Sequence, residues 1–306
     1  MAVAPAMIPN EGVRAAVMAL VAGASLEMSP REVDAIAPAA EFLPSGTEIY
    51  ISSPPAVSYH DIIGAAVALR RRGFEPVPHV AARGLAGFTQ FNDLLTRAAG
   101  EAGVQRALVI GGDVDPPSGP FHASFDVLSL GLFEKHGFIR IDLAVYPEGH
   151  PRIAETTLDR ALALKLALLR RAGIEARAVT QFVFDAAPVL RWLPAMRARE
   201  PLLPVRVGLP GPASISTLAR YAVRCGIGHS IAALVRHRTS IARLVTEAGP
   251  EPVLRRLAAA DWRVLGVNGI HLFGFGGLTR TSRWLRAVTD GEFRVDPDGV
   301  GFTVNG

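Results

Sequence analysis

Glu27 stands between Leu26 and Met28 in the run ASLEMS, a carboxylate inside an otherwise apolar stretch. Buried there, it would lose hydration of its charged form and keep its proton near neutrality, the state a general acid needs. The equal alternative is an exposed strand-end carboxylate with an ordinary pKa. Other short β-branched runs also end on polar side chains: Ser52 and Ser53 after EIYI, His79 in EPVPHVAA, and Asp113 behind Gly111 and Gly112 after RALVI. IRIDLAVYPEGHP ends on Tyr146, Glu148 and His150, and ARAVTQFVFD carries Gln181 and Asp185. One polar strand end means little, but several converging on one mouth make a site.

Each of these residues also has a plain reading. Asp113 could cap a turn with its neighbouring glycines. His79, between Pro78 and Val80, could be a core histidine bonded to a backbone carbonyl. Asp159 and Asp185 suit helix N-termini. Lys165 could be a solvated helix residue, although the chain has only one other lysine, Lys135. The eight histidines show no short repeated spacing of metal ligands, and no glycine-flanked serine elbow suggests a hydrolase. No metal is expected.

These residues need a frame. Runs of β-branched residues at 24–29, 48–53, 75–82, 106–112, 139–148, 176–185, 204–211 and 269–277 read as strands. Segments of helical period lie between them at 59–72, 86–100, 154–171, 187–199 and 279–288. Eight such strands with helical crossovers predict a (β/α)8 barrel, in which active sites form at the C-terminal strand ends. A doubly wound open sheet would favour a glycine-rich fingerprint after the first strand, and none follows Met28. No linker divides residues 1–306, so the chain reads as one domain. An extra helix over 11–22 precedes the first strand, 212–265 holds two or three helices, and GEFRVDPDGVGFTVNG is a small hairpin or a loose terminus.

Composition excludes several classes. Hydrophobic residues make up 49% and charged residues 20%, which is globular. The apolar stretch from Val13 to Ala24 is too short to span a bilayer, is interrupted by Arg14 and lacks a basic leader, so it reads as an amphipathic helix. One cysteine, Cys225, allows no internal disulfide and fits a cytoplasmic protein; a buried small residue is the better reading of it than a nucleophile. The net charge of +4 is spread along the chain, and Arg70, Arg71 and Arg72 read as a solvated helix end. Without a focused basic stripe no nucleic-acid partner is expected, whereas an anionic small substrate or nucleotide fits.

In order along the chain, LEMSPRE (26–32), PHVAA (78–82), IGGDVDPPSG (110–119), AVYPEGHP (144–151), TQFVFD (180–185) and FGFGGLTR (273–280) resemble the segments of the methylenetetrahydrofolate reductase family. YPEGHP and TQFVFD are the specific ones. The resemblance implies reduction of 5,10-methylenetetrahydrofolate to 5-methyltetrahydrofolate with NADH or NADPH, through FAD, in a chain that self-associates. It makes Glu27 the acid that opens the imidazolidine ring and places Asp113 near flavin and pterin. Gln181 and Arg280 fall to the substrate, and Ser52, His79, Gly112, His122, Ala123, Tyr146, His150, Asp159 and Lys165 to the flavin. The pathway would be methionine biosynthesis or methyl-group catabolism.

The chain departs from that pattern at the flavin. Gly111 replaces an arginine, His122 a tyrosine, and Leu162 and Leu166 an asparagine and a lysine. Lys165 stands where the pattern has an arginine, and Pro30 alone stands for a proline pair. The resemblance therefore implies either loosely held FAD or direct hydride transfer from the nicotinamide. Loss of catalysis in a folate-binding protein, or another one-carbon folate reaction, are the alternatives.

Overall fold

The computed structural model describes residues 10–55, 57–225, 247–297 and 299–304. Eight strands, β1 (Ser25–Met28), β2 (Glu48–Ile51), β3 (Glu75–Ala81), β4 (Arg106–Ile110), β5 (Arg140–Val145), β6 (Glu175–Thr180), β7 (Val205–Pro210) and β8 (Val267–Phe273), close into a barrel. Neighbours pair in parallel and in chain order, and β1 closes against β8. This is the expected (β/α)8 architecture. β6 and β8 stop short of the ends of their hydrophobic runs, because apolar loops continue those runs through Val183 and Phe275.

Side chains alternate across each strand, so one set faces the helices and the other fills the barrel. On β1 Leu26 and Met28 join the outer core with Ile49 and Ile51 of β2. Ser25 and Glu27 occupy the alternate positions, and Glu27 is in register with Tyr50, which packs with Val77, Leu108 and Val179 in the barrel interior. The Glu27 side chain is thus directed inward by strand parity alone.

The crossovers follow from local signals. Ser58 and Asp61 form a capping box that starts the helix Tyr59–Arg71, which buries Ile62, Ile63, Ala66 and Leu69. At its end Arg70 makes a bidentate pair with Glu75 at 2.8 and 2.9 Å, so that terminus is tied to β3 as well as solvated. Asp185 caps Ala186–Arg199 through Ala187 N at 3.0 Å, as its sequence position suggested. Asp159 instead lies in the second turn of Glu155–Ala172, and its carboxylate pairs with Arg199. The helix Asn10–Val21 precedes β1 as expected. Within 212–265 the helices Ile215–Arg224 and Glu251–Ala258 are described, and Ala213–Ser214 pairs with Glu247–Ala248. The tail is a hairpin, Phe293–Val295 against Phe302–Val304. Among the described residues no helix is long and apolar enough to cross a membrane.

Gly208 of β7 marks a close approach between neighbouring strands. A Cβ there would lie 2.3 Å from the Thr180 carbonyl oxygen and 2.8 Å from the Phe273 ring. A backbone oxygen on the neighbouring strand cannot step aside as a side chain can. Gly208→Ala is therefore expected to destabilise the fold by about 1–3 kcal/mol, read as a lower midpoint in urea unfolding.

Candidate active site

The barrel's lower interior is charged. Asp142 of β5 has no exposed surface and accepts from Arg177 Nε at 3.0 Å and Nη2 at 2.9 Å, from Arg140 at 3.2 Å and from the Tyr50 hydroxyl. Glu48 of β2 accepts from Arg177 at 2.8 Å and Arg140 at 2.5 Å, and Arg206 of β7 lies 3.4 Å away. Burial alone would raise the Glu48 carboxyl, but Arg177, Arg206 and Arg140 outweigh it and hold it at about 2. Four strands are thereby fastened across the barrel axis beneath Tyr50.

Above this layer sits the acid. Glu27 Oε2 lies 3.4 Å from His79 Nε2 and 3.6 Å from His271 Nε2, and none of these three buried atoms has a hydrogen-bond partner among the described residues. The contacts are too long for hydrogen bonds, as catalytic contacts often are before a ligand tightens them. Burial raises the Glu27 pKa more than the His79 imidazole lowers it. The protonated reading of Glu27 is thus the one its surroundings favour. The side chain keeps 15% of its surface, although its Oε2 is buried.

Both histidines are held neutral. Burial pushes His79 down against the pull of Glu27. Burial, then the Arg206 and Arg177 guanidiniums, push His271 down to about 3. Ser25 Oγ lies 2.9 Å from His271 Nδ1, fixing the ring so that Nε2 faces Glu27. Tyr50 packs against His271 at 4.5 Å and edge-on to His79 at 6.0 Å, closing the space below. The His79 Nε2 has no hydrogen-bond partner among the described residues and faces Glu27. Ser25 and His271 carry no signal at a strand end and are not among the expected site residues.

The opposite rim holds Asp113, Tyr146 and His150. Burial raises the Tyr146 hydroxyl and Asp113 adds to the rise; burial and Arg152 lower His150 while Asp113 opposes them. The two rings meet edge-on at 5.0 Å. Asp113 is solvent-exposed, behind Gly112, whose φ of +89° and 3.0 Å approach to the Ala81 Cβ require glycine. Cys225 lies at the end of Ile215–Arg224 and is half-buried. Its thiol is pushed up to about 11 by burial and then Asp113, with Glu27 also contributing, so it is no nucleophile.

Other expected residues are engaged differently. Gln181 is half-buried just beyond β6, its Oε1 accepting from Phe182 N at 3.1 Å. Ser52 donates to the Met28 carbonyl at 3.1 Å. The backbone N–H groups of His122 and Ala123 both donate to Asp126 at the start of Ser124–Leu128, and both residues are exposed. Arg280 lines a separate cavity with Glu32, Gly276 and Arg283, in which Glu27 takes no part. There the Glu32 carboxylate accepts from Leu278 N at 3.3 Å, covering the helix N-terminus where a phosphate would bind. Among the described residues no cluster of three or more His, Cys, Asp or Glu is arranged to hold a metal ion.

The residues expected to hold FAD do not form a diphosphate cradle in this arrangement. Lys165 is buried, its amine lowered to about 8 by desolvation and 3.4 Å from Ser124 Oγ. Leu162 and Leu166 are core residues beside it, and Asp159 is committed to Arg199. His79, a flavin contact by resemblance, faces Glu27 instead.

No protein-family profile matches the chain. Among solved structures it is similar to an uncharacterized protein from Clostridium thermocellum that binds two copies of 5-methyl-5,6,7,8-tetrahydrofolic acid. The identity is 11% and the TM-score 0.54, over 90% of this chain and 97% of that one. Dihydropteroate synthase (FolP) from Thermus thermophilus matches at 15% identity and a TM-score of 0.43, over 87% of this chain and 92% of that one. What the first likeness carries over is the barrel fold.

Proposed function

We propose that this barrel binds a reduced folate and reduces 5,10-methylenetetrahydrofolate to 5-methyltetrahydrofolate, taking hydride directly from NADH or NADPH. The observation that carries the reading is the desolvated Glu27 carboxyl set between two neutral imidazoles. The folate part is supported by the sequence resemblance and by the 5-methyltetrahydrofolate bound to the similar Clostridium protein.

In this reading Glu27 gives its proton to N10 as the N10–methylene bond breaks, leaving an N5 iminium cation that Asp113 stabilises by its charge. Hydride from the nicotinamide then forms the methyl group. The overall reaction consumes one folate, one reduced nicotinamide and one proton. After turnover Glu27 regains the consumed proton from solvent, while His271, oriented by Ser25, stays neutral beside it. By the sequence resemblance, Gln181 is the residue that would hydrogen-bond the pterin edge. Direct transfer is favoured over a resident flavin because Lys165, Leu162, Leu166 and Asp159 offer the diphosphate no exposed cation or donor.

A purely folate-binding role is the second reading, favoured by the binding seen in the Clostridium protein. One experiment separates the two: the purified protein is mixed with NADH and methylenetetrahydrofolate, with and without FAD. Folate-dependent NADH oxidation that FAD does not stimulate is expected. Folate binding without oxidation would leave the second reading standing, and a stoichiometric flavin band in the purified protein would remove the direct transfer.

A further inference from the structure

The lower interior of the barrel carries more cation than its carboxylates balance. Arg106, Arg140, Arg177 and Arg206 all approach the one carboxylate of Glu48, at 3.9, 2.5, 2.8 and 3.4 Å. Asp142 is shared by Arg140 and Arg177, and Glu75 by Arg106 and the more exposed Arg70. Even with Arg70 left aside, four guanidiniums face three carboxylates, an excess of one positive charge. Tyr50 only donates to Asp142, and His271 above the layer stays neutral, so neither group balances that excess.

Arg206 is the least satisfied member. Val205 and Val207 point into the outer core, so strand parity turns Arg206 inward, and only 9% of it is exposed. It reaches Glu48 through Nη2, while its buried Nε and Nη1 have no hydrogen-bond partner among the described residues. Burial and the neighbouring Arg177 both disfavour its charge, against the pull of Glu48. A guanidinium does not give up its proton at neutral pH, so these N–H groups need acceptors beside a full charge. Room for one lies on the next strand. Gly269 of β8 is in register with Arg206 and shares the inward face with His271, since Ile270 and Leu272 face the outer core. Gly269 is buried, yet a Cβ on it would meet nothing within 4 Å among the described residues. Its φ of +146° is one that residues with a side chain rarely adopt, which keeps that space open.

We propose that Arg206 and Gly269 form a binding site for one small monovalent anion of halide size in the lower barrel. Water would meet the N–H groups but leave the excess charge in place, whereas a halide answers both. A divalent anion would exceed the single charge to be balanced and would be repelled by Glu48. The small exposed fraction of Arg206, Glu48 and Arg106 gives the ion its way in from the N-terminal strand ends. The site lies at the other end of the strands from the mouth beside Glu27, and it is independent of the folate reading. The anion is a ligand of the fold, not a reactant.

Urea midpoints are measured in mixtures of potassium chloride and potassium gluconate at constant ionic strength, for the wild type and Arg206→Met. Gluconate is too large for the site and supplies the same screening. Replacing gluconate by chloride is expected to raise the wild-type midpoint with the logarithm of chloride concentration above half-occupancy. That is the dependence of a ligand that binds the folded state alone. Arg206→Met is expected to show no difference between the salts. Equal wild-type midpoints in the two salts, or a chloride response retained in Arg206→Met, overturn the site. Should Arg206→Met not fold, wild-type crystals soaked in sodium bromide decide. An anomalous scattering peak in hydrogen-bonding contact with the Arg206 guanidinium is expected; a peak only elsewhere, or none, overturns the proposal.

Discussion

Glu27→Gln is expected to cut folate-dependent turnover by about 10²- to 10⁴-fold, the usual contribution of a positioned proton donor, while folate still binds. Glutamine keeps the shape and polarity of the side chain but cannot release a proton to a leaving nitrogen. The pH profile carries the same argument with its sign. An acid works only while protonated, so the wild-type rate should fall as pH rises through the raised pKa of Glu27. His271, held at about 3, stays neutral throughout and cannot produce that limb. In Glu27→Gln the limb should vanish along with the rate. Turnover within tenfold of wild type, or an unchanged alkaline limb, would remove Glu27 from the chemistry.

The barrel was legible because its outward faces are near-continuous apolar runs bounded by turns, as parallel strands buried by helices must be. Glu27 was legible too, since a lone carboxylate between Leu26 and Met28 has few reasons to be there. Its partners were not. Ser25 and His271 meet across the closing pair of strands, a register that depends on barrel closure and not on any local pattern. The available hint was parity: Ser25 shares the inward face with Glu27, two residues away. The charged lower layer left a similar trace. Asp142, Arg177 and Arg206 each interrupt a β-branched run, and a charge inside a doubly buried strand points inward because the helix side would leave it unpaired. Strand-end reasoning looked only at the other end of the barrel. Asp159 and Arg280, assigned by resemblance, pair with Arg199 and line a cavity with Glu32 respectively.

That lower layer supplies the largest expected effect on stability. Arg177→Met removes a guanidinium that donates to Asp142 at two atoms and to Glu48, while both carboxylates stay largely out of water. Breaking a buried ion pair from one side leaves uncompensated charge and costs about 3–5 kcal/mol. The surface pair Arg286–Asp290 is the control, because both partners are well exposed; Arg286→Met should change stability by less than about 1 kcal/mol. Acid unfolding gives an independent reading. Glu48 sits at about 2 in the folded chain against an ordinary value of 4.5, so its contribution is present above 4.5 and lost as pH falls toward 2. Without Arg177, burial pulls the Glu48 carboxyl back up, that contribution shrinks, and the variant should unfold at a higher pH than the wild type. Urea midpoints at neutral pH and an acid titration followed by circular dichroism measure both. A variant that matched the wild type in each would mean that Arg140 and Arg206 alone hold the two carboxylates, and that the strands are fastened by their outer apolar faces rather than across the barrel axis.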